Sequence, residues 1–107
     1  MLNKNEIINL ILEGKTEEAI NILSDFYKVK PPKIKIGLPK GKSFALAVYD
    51  PFRNTIYFKK EEYMRNPFIV LHEFYHVIRF KMGKHKGTEK LADEFALVFL
   101  KDLYKIK

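Results

Sequence analysis

The residues best suited to chemistry stand in one run, His72-Glu73-Phe74-Tyr75-His76. On a helix, side chains four apart share a face about one turn apart, so the two imidazoles can reach a single metal ion. Glu73, beside the first histidine, is offset around the helix and poorly placed to join them as a ligand. It can reach a water on that ion and take its proton, which is metal-assisted hydrolysis with a carboxylate base. The plain alternative is a pair of core histidines donating to backbone groups. Burying two imidazoles and a carboxylate in an otherwise apolar helix is expensive, which argues against it. A catalytic ion of this kind needs a third protein ligand and one open position. The following stretch supplies His85 and Glu89. After a turn at Gly83 the chain can run back to the level of His76, so geometry leaves both candidates open.

Periodicity and capping signals predict the elements that position these groups. Residues 5–13 read as a helix closed by Gly14. Thr16 caps a second helix, with Glu17 and Glu18 in its first turn and Ala19, Ile20, Leu23, Phe26 and Tyr27 facing inward. Together they form an N-terminal helical unit over residues 1–30, ended by Pro31 and Pro32. The alternation Ile34, Ile36 predicts a short strand. A hairpin follows, with strands at 44–49 and 55–59 joined by a turn at 50–54, giving a small sheet within 33–60. Asn66 before Pro67 opens a helix over 67–82 that is apolar almost all round, and so is expected to be the buried axis. Thr88 caps a last helix over 88–104. These elements predict an α+β fold.

Composition narrows the class. The 107 residues are 47% hydrophobic, 31% charged and 14% aromatic, as expected of one globular domain. No apolar stretch approaches the roughly twenty residues of a membrane span. No charged-then-apolar leader opens the chain, which leads to the expectation of a cytoplasmic protein without membrane contact. Cysteine is absent, which excludes disulfides, a thiolate nucleophile and Cys-type zinc sites. Cysteine, tryptophan and glutamine are all missing while Lys, Ile and Glu abound, a bias that suits life at high temperature. The net charge is +7, with lysines concentrated at Lys28, Lys30, Lys33, Lys35, Lys40 and Lys42. No nucleic-acid motif accompanies them, so they read as a solvated surface and no nucleic-acid partner is expected.

The motif helix and its surroundings carry a family resemblance. The positions three and six beyond His76 are Arg79 and Met82, not the glycine and histidine of metzincins. Glu89-Lys90-Leu91-Ala92-Asp93-Glu94-Phe95-Ala96 resembles the second signature of gluzincins, the group of thermolysin and of membrane-embedded peptidases of the CaaX-prenyl-protease type. That resemblance implies Glu89 as zinc ligand and Asp93 as a hydrogen-bond partner of a metal-binding histidine. Over roughly 44–103 the chain is most similar to the minigluzincins, soluble peptidase-like proteins of about this size from thermophilic prokaryotes. That family implies a small zincin-like domain and a histidine third ligand, here His85.

The activity implied is zinc-dependent, endopeptidase-like hydrolysis of a peptide or unstructured protein, with Glu73 as general base and proton carrier to the leaving amine. In such enzymes the substrate lies along an edge strand before the motif helix. The return strand of the hairpin, Thr55, Ile56, Tyr57 and Phe58, is the expected docking strand. Tyr49, Tyr57 and Tyr63 are possible donors to an oxyanion, none of them assigned. The family also resembles a set of latent precursors, which makes residues 99–107 a candidate blocking segment and a candidate homodimer contact. The rival reading is a zinc-binding regulatory or nucleic-acid-associated protein without general proteolytic turnover.

Overall fold

In the structure, a computed structural model that describes residues 2–42, 44–81 and 89–104 (the last three without side chains), four helices pack around a three-stranded sheet. Helix α1 (Lys4–Leu12) starts where the Asn3 side chain accepts the Glu6 N–H at 3.0 Å. It ends at Gly14, whose φ of +84° is a left-handed conformation that glycine tolerates best. There the Gly14 and Lys15 N–H groups bond the Ile11 and Leu10 carbonyls at 3.0 and 2.8 Å. This turn sends the chain into α2 (Thr16–Tyr27). Thr16, expected as a cap, is the first helical residue and is buried, its hydroxyl donating to the Met64 carbonyl.

Strands β1 (Lys33–Ile36), β2 (Ala47–Asp50) and β3 (Thr55–Phe58) form a sheet in the order β1-β3-β2. The β2–β3 hairpin is present, shorter than its sequence pattern by three residues at the start, and Phe44 lies outside it, largely exposed. Asp50 shapes the turn by accepting the Phe52 and Arg53 N–H groups at 3.0 and 3.4 Å. Asn54, at φ +47°, accepts the Tyr49 hydroxyl at 2.8 Å and donates to the Pro31 carbonyl at 3.2 Å.

The sheet corrects one expectation. Thr55, Ile56, Tyr57 and Phe58 do not form an edge. They pair in parallel with β1 on one side and antiparallel with β2 on the other, and all four are buried. With both backbone edges occupied, β3 cannot accept a further strand. The open edge that faces α3 is β2.

A 3-10 turn (Glu61–Arg65) leads to α3 (Pro67–Lys81), where Asn66 caps as its sequence predicts, its side-chain oxygen accepting the Ile69 N–H at 3.2 Å. Val70, Leu71, Phe74 and Val77 make one buried stripe on α3, meeting Ile7, Ile8 and Ile11 of α1, Ile20 and Leu23 of α2, and Ile56 and Phe58 of β3 in a common core. Helix α4 (Glu89–Tyr104) packs along α3, with Ala92, Ala96 and Phe99 buried at i, i+4 and i+7. Alanines at two of these positions let the two helices approach closely. No helix among the described residues is long and apolar enough to cross a membrane.

Of the candidate blocking segment, residues 99–107, the side chains of 99–101 are described. Phe99 is 1% exposed within the core, and Leu100 packs against it. With a rise of 1.5 Å per residue, the end of α4 lies about 22 Å along the helix from Glu89. Residues 99 and 100 therefore belong to the core, while the side chains of 102–104 and residues 105–107 of the expected blocking segment lie outside the described residues. Replacing Phe99→Ala is expected to cost about 3–5 kcal/mol in denaturant unfolding, as for other buried phenylalanines; a loss under about 1 kcal/mol would contradict this placement.

Candidate metal centre

Two adjoining helices build the centre. On α3, His72 and His76 are one turn apart, with ring centroids separated by 5.2 Å. The first turns of α4 bring up two carboxylates. Glu89 Oε1 lies 2.8 Å from His72 Nε2, and Glu89 Oε2 lies 3.2 Å from His76 Nε2. Asp93, one turn further along α4, meets the other nitrogen of His72 at 2.8 Å, Oδ1 to Nδ1. The 3.6-residue period that stacks 72 over 76 also stacks 89 over 93, so close packing of two helices assembles four groups.

The donor atoms of His72, His76 and Glu89 all lie within 4.8 Å of one another, and the group can hold a metal ion. Donors around a small tetrahedral ion, with bonds of about 2.0–2.1 Å, sit about 3.3 Å apart. The 2.8 and 3.2 Å separations across Glu89 fall within about half an ångström of that. Asp93 completes the fit: a carboxylate that takes the Nδ1 proton of His72 would leave Nε2 free to give its lone pair to an ion shared with Glu89 and His76. Of the two candidate third ligands, Glu89 therefore stands beside both histidines, while His85 lies outside the described residues.

No family model, curated protein or solved structure matches this chain. The reading of the centre rests on its own geometry.

Glu73 lies beside the two histidines on the buried side of α3. It is 8% exposed, and its Oε2 lies 4.0 Å from His72 Nε2. Burial, aided by the nearby Glu89 charge, pushes its carboxyl up to about 7, although His72 and a hydrogen bond from the Tyr49 backbone N–H pull the other way. Burial also opposes a charged His72, but hydrogen bonds to Glu89 and Asp93 and the charges of Glu73 and Glu89 outweigh it, and its pKa rises. For His76, burial and the charge of His72 prevail over the attraction of Glu89, and the pKa falls.

The Tyr49 amide marks where β2 meets the centre. In an antiparallel pair, both backbone groups of one residue point to the same side. Since the Leu46 carbonyl accepts the Lys59 N–H at 2.9 Å, alternate residues Ala47 and Tyr49 direct their backbone groups away from β3. A cavity of about 640 Å³ opens beside this edge, between β2 with its turn and the Glu73–Phe80 stretch of α3, with Glu89 at its border. Phe52, 93% exposed at the turn, stands on its rim. Of the tyrosines considered as oxyanion donors, Tyr49 engages Asn54 and Tyr57 is buried in β3, so neither hydroxyl is presented to the centre. Tyr63 packs against the core. The sequence pattern did not single out the Tyr49 backbone or the cavity wall at Arg79; the first has no side-chain signal, and the second showed only as a departure from metzincin spacing.

The elevated Glu73 pKa has a consequence for stability. A carboxyl held at about 7 when folded, against 4.5 when free, contributes stability that is complete below 4.5 and lost as pH rises through 7. In metal-stripped protein, Glu73→Gln is therefore expected to raise stability at pH 8 by up to about 3 kcal/mol and to leave it little changed at pH 4. Thermal unfolding at the two pH values, with chelator present, checks this; an equal effect at both would remove the cause assigned to the shift.

Proposed function

We propose that this protein is a zinc-dependent peptide-bond hydrolase of the gluzincin type, with His72, His76 and Glu89 as the metal-holding residues. The observation that carries the reading is the convergence of Glu89 on both motif histidines while Asp93 fixes the ring of the first. Two neutral imidazoles and one carboxylate are a common donor set of catalytic zinc, and they leave a position open. The arrangement agrees with the gluzincin resemblance of residues 89–96 and favours Glu89 over His85. When bound, zinc supplies Lewis acidity, polarising an amide carbonyl and acidifying water.

The chain's own groups supply the rest. Glu73, buried beside the histidines, accepts a proton from the attacking water and returns it to the leaving nitrogen. The Tyr49 amide holds the carboxylate in place for both transfers. Ala47 and the Tyr49 carbonyl turn away from β3, and an extended peptide can add to them as a further strand while the Tyr49 N–H stays on Glu73. The substrate strand is thus assigned to β2, in place of Thr55–Phe58. The cavity beside β2 admits a side chain of that peptide, with apolar walls from Ala47, Val48, Pro51 and Phe80.

Metal analysis of purified variants, paired with a peptide-cleavage assay, tests this. His72→Ala, His76→Ala and Glu89→Ala are each expected to abolish stoichiometric zinc, whereas His85→Ala retains it. Asp93→Ala is expected to weaken zinc affinity about 10–100-fold. Glu73→Gln should keep the metal and reduce hydrolysis by at least about a hundredfold. Full zinc retention in Glu89→Ala would return the third-ligand position to His85. Zinc bound by the unaltered protein without hydrolysis of any unstructured peptide would replace the hydrolase by a metal-binding scaffold.

A further inference from the structure

The cavity has a charged wall that the chemistry above leaves unused. Arg79 follows His76 by three residues on α3, which places it one turn further along an adjoining face. It lines the same cavity as Glu73, His76 and Glu89. Its guanidinium carbon stands 5.8 Å from the centre of the Tyr75 ring, a contact that orients the group without neutralising it. Its Nε is buried and, among the described residues, has no hydrogen-bond partner. Among the described residues Arg79 enters no ion pair.

Among the described residues the acids near this cavity are all otherwise engaged, with Asp50 accepting the Phe52 and Arg53 amides of its own turn. Glu89 is engaged by His72 and His76, and Glu73 by the Tyr49 amide. Residues 82–88, which join α3 to α4, contain neither Asp nor Glu. A buried donor left without an acceptor is costly, and a guanidinium fork matches the two oxygens of a carboxylate. The net charge of +7 adds a field that draws anions toward the surface.

Building on the hydrolase reading, we propose that Arg79 is the specificity-determining residue of this cleft and receives a carboxylate of the bound peptide, so that acidic peptides are the preferred substrates. The carboxylate comes from an Asp or Glu side chain or from a free C-terminus. The two sources share one chemistry and are separable by experiment.

The test is peptide binding to zinc-loaded, full-length Glu73→Gln, which retains the cleft but does not turn over. Four peptides of one sequence are compared by fluorescence anisotropy, carrying Glu or Gln at one position and a free or amidated C-terminus. At least one carboxylate-bearing peptide is expected to bind about tenfold or more tightly than the neutral one, and the arm that does so names the source. Adding Arg79→Gln should shrink that ratio to below about twofold, and Arg79→Lys, which keeps the charge but not the fork, should give an intermediate value. Equal affinity for all four peptides, including no measurable binding at millimolar concentration, overturns the proposal even where Arg79→Gln does not fold. A preference unchanged by Arg79→Gln or by Arg79→Lys overturns it too, by assigning the carboxylate to the metal. Cleavage by protein with Glu73 intact is scored separately. Hydrolysis without charge preference removes only the role of Arg79, whereas charge preference without hydrolysis removes only the hydrolase reading.

Discussion

Where α3 and α4 touch, two imidazoles and the buried Glu73 meet the more exposed carboxylates of Glu89 and Asp93, and a balance of attraction against burial ties the two helices together there. His72 is the pivot of that balance. One of its nitrogens faces Asp93 and the other faces Glu89, each at 2.8 Å. Its ring therefore ties two successive turns of α4 to one turn of α3. The close approach allowed by Ala92 and Ala96 makes these contacts possible, and Phe99 anchors the far part of the same helix in the core. Packing and electrostatics thus specify the same register between the helices. A cation among these groups would reinforce that register, because its ligands come from both helices and binding free energy becomes folding free energy.

The sheet contributes by its order. Because β1 inserts in parallel beside β3, the hairpin's return strand is sealed into the interior and its first strand is pushed to the rim beside α3. That exchange of positions decides which backbone a ligand can meet. It also explains how Glu73 is held buried without a side-chain partner at hydrogen-bond distance. An outward amide of β2 satisfies the carboxylate, and the residual cost of burial appears as raised proton affinity.

Much of this was legible in the sequence where the signal is local. Asn66-Pro67 marks the start of α3, Gly14 marks the turn between α1 and α2, and the four-residue spacing of His72 and His76 places both rings on one face. The spacing of Glu89 and Asp93 and the gluzincin resemblance pointed to those histidines, while the minigluzincin likeness pointed to His85, and sequence alone left the choice open. The structure brings Glu89 and Asp93 beside His72. What escaped was non-local. A hairpin pattern cannot reveal that a third strand will flank it, so Thr55–Phe58 read as an edge. The apolar run around Phe99 fits a core helix and a docking segment equally well until α1 is seen packing against it. Arg79 carries no periodic signal, and its meaning depends on the acids that the fold places elsewhere.

The single amide of Tyr49 has a mechanical consequence. It joins the proton acceptor to the very strand along which, under the proposed function, a guest chain would settle. Under that function, a guest that shifts β2 would change how the carboxylate is held, and a weaker hold would raise its affinity for a proton. Recognition and reactivity would then be geared together through the backbone, so that a loosely seated guest meets a differently tuned acceptor from a well-seated one.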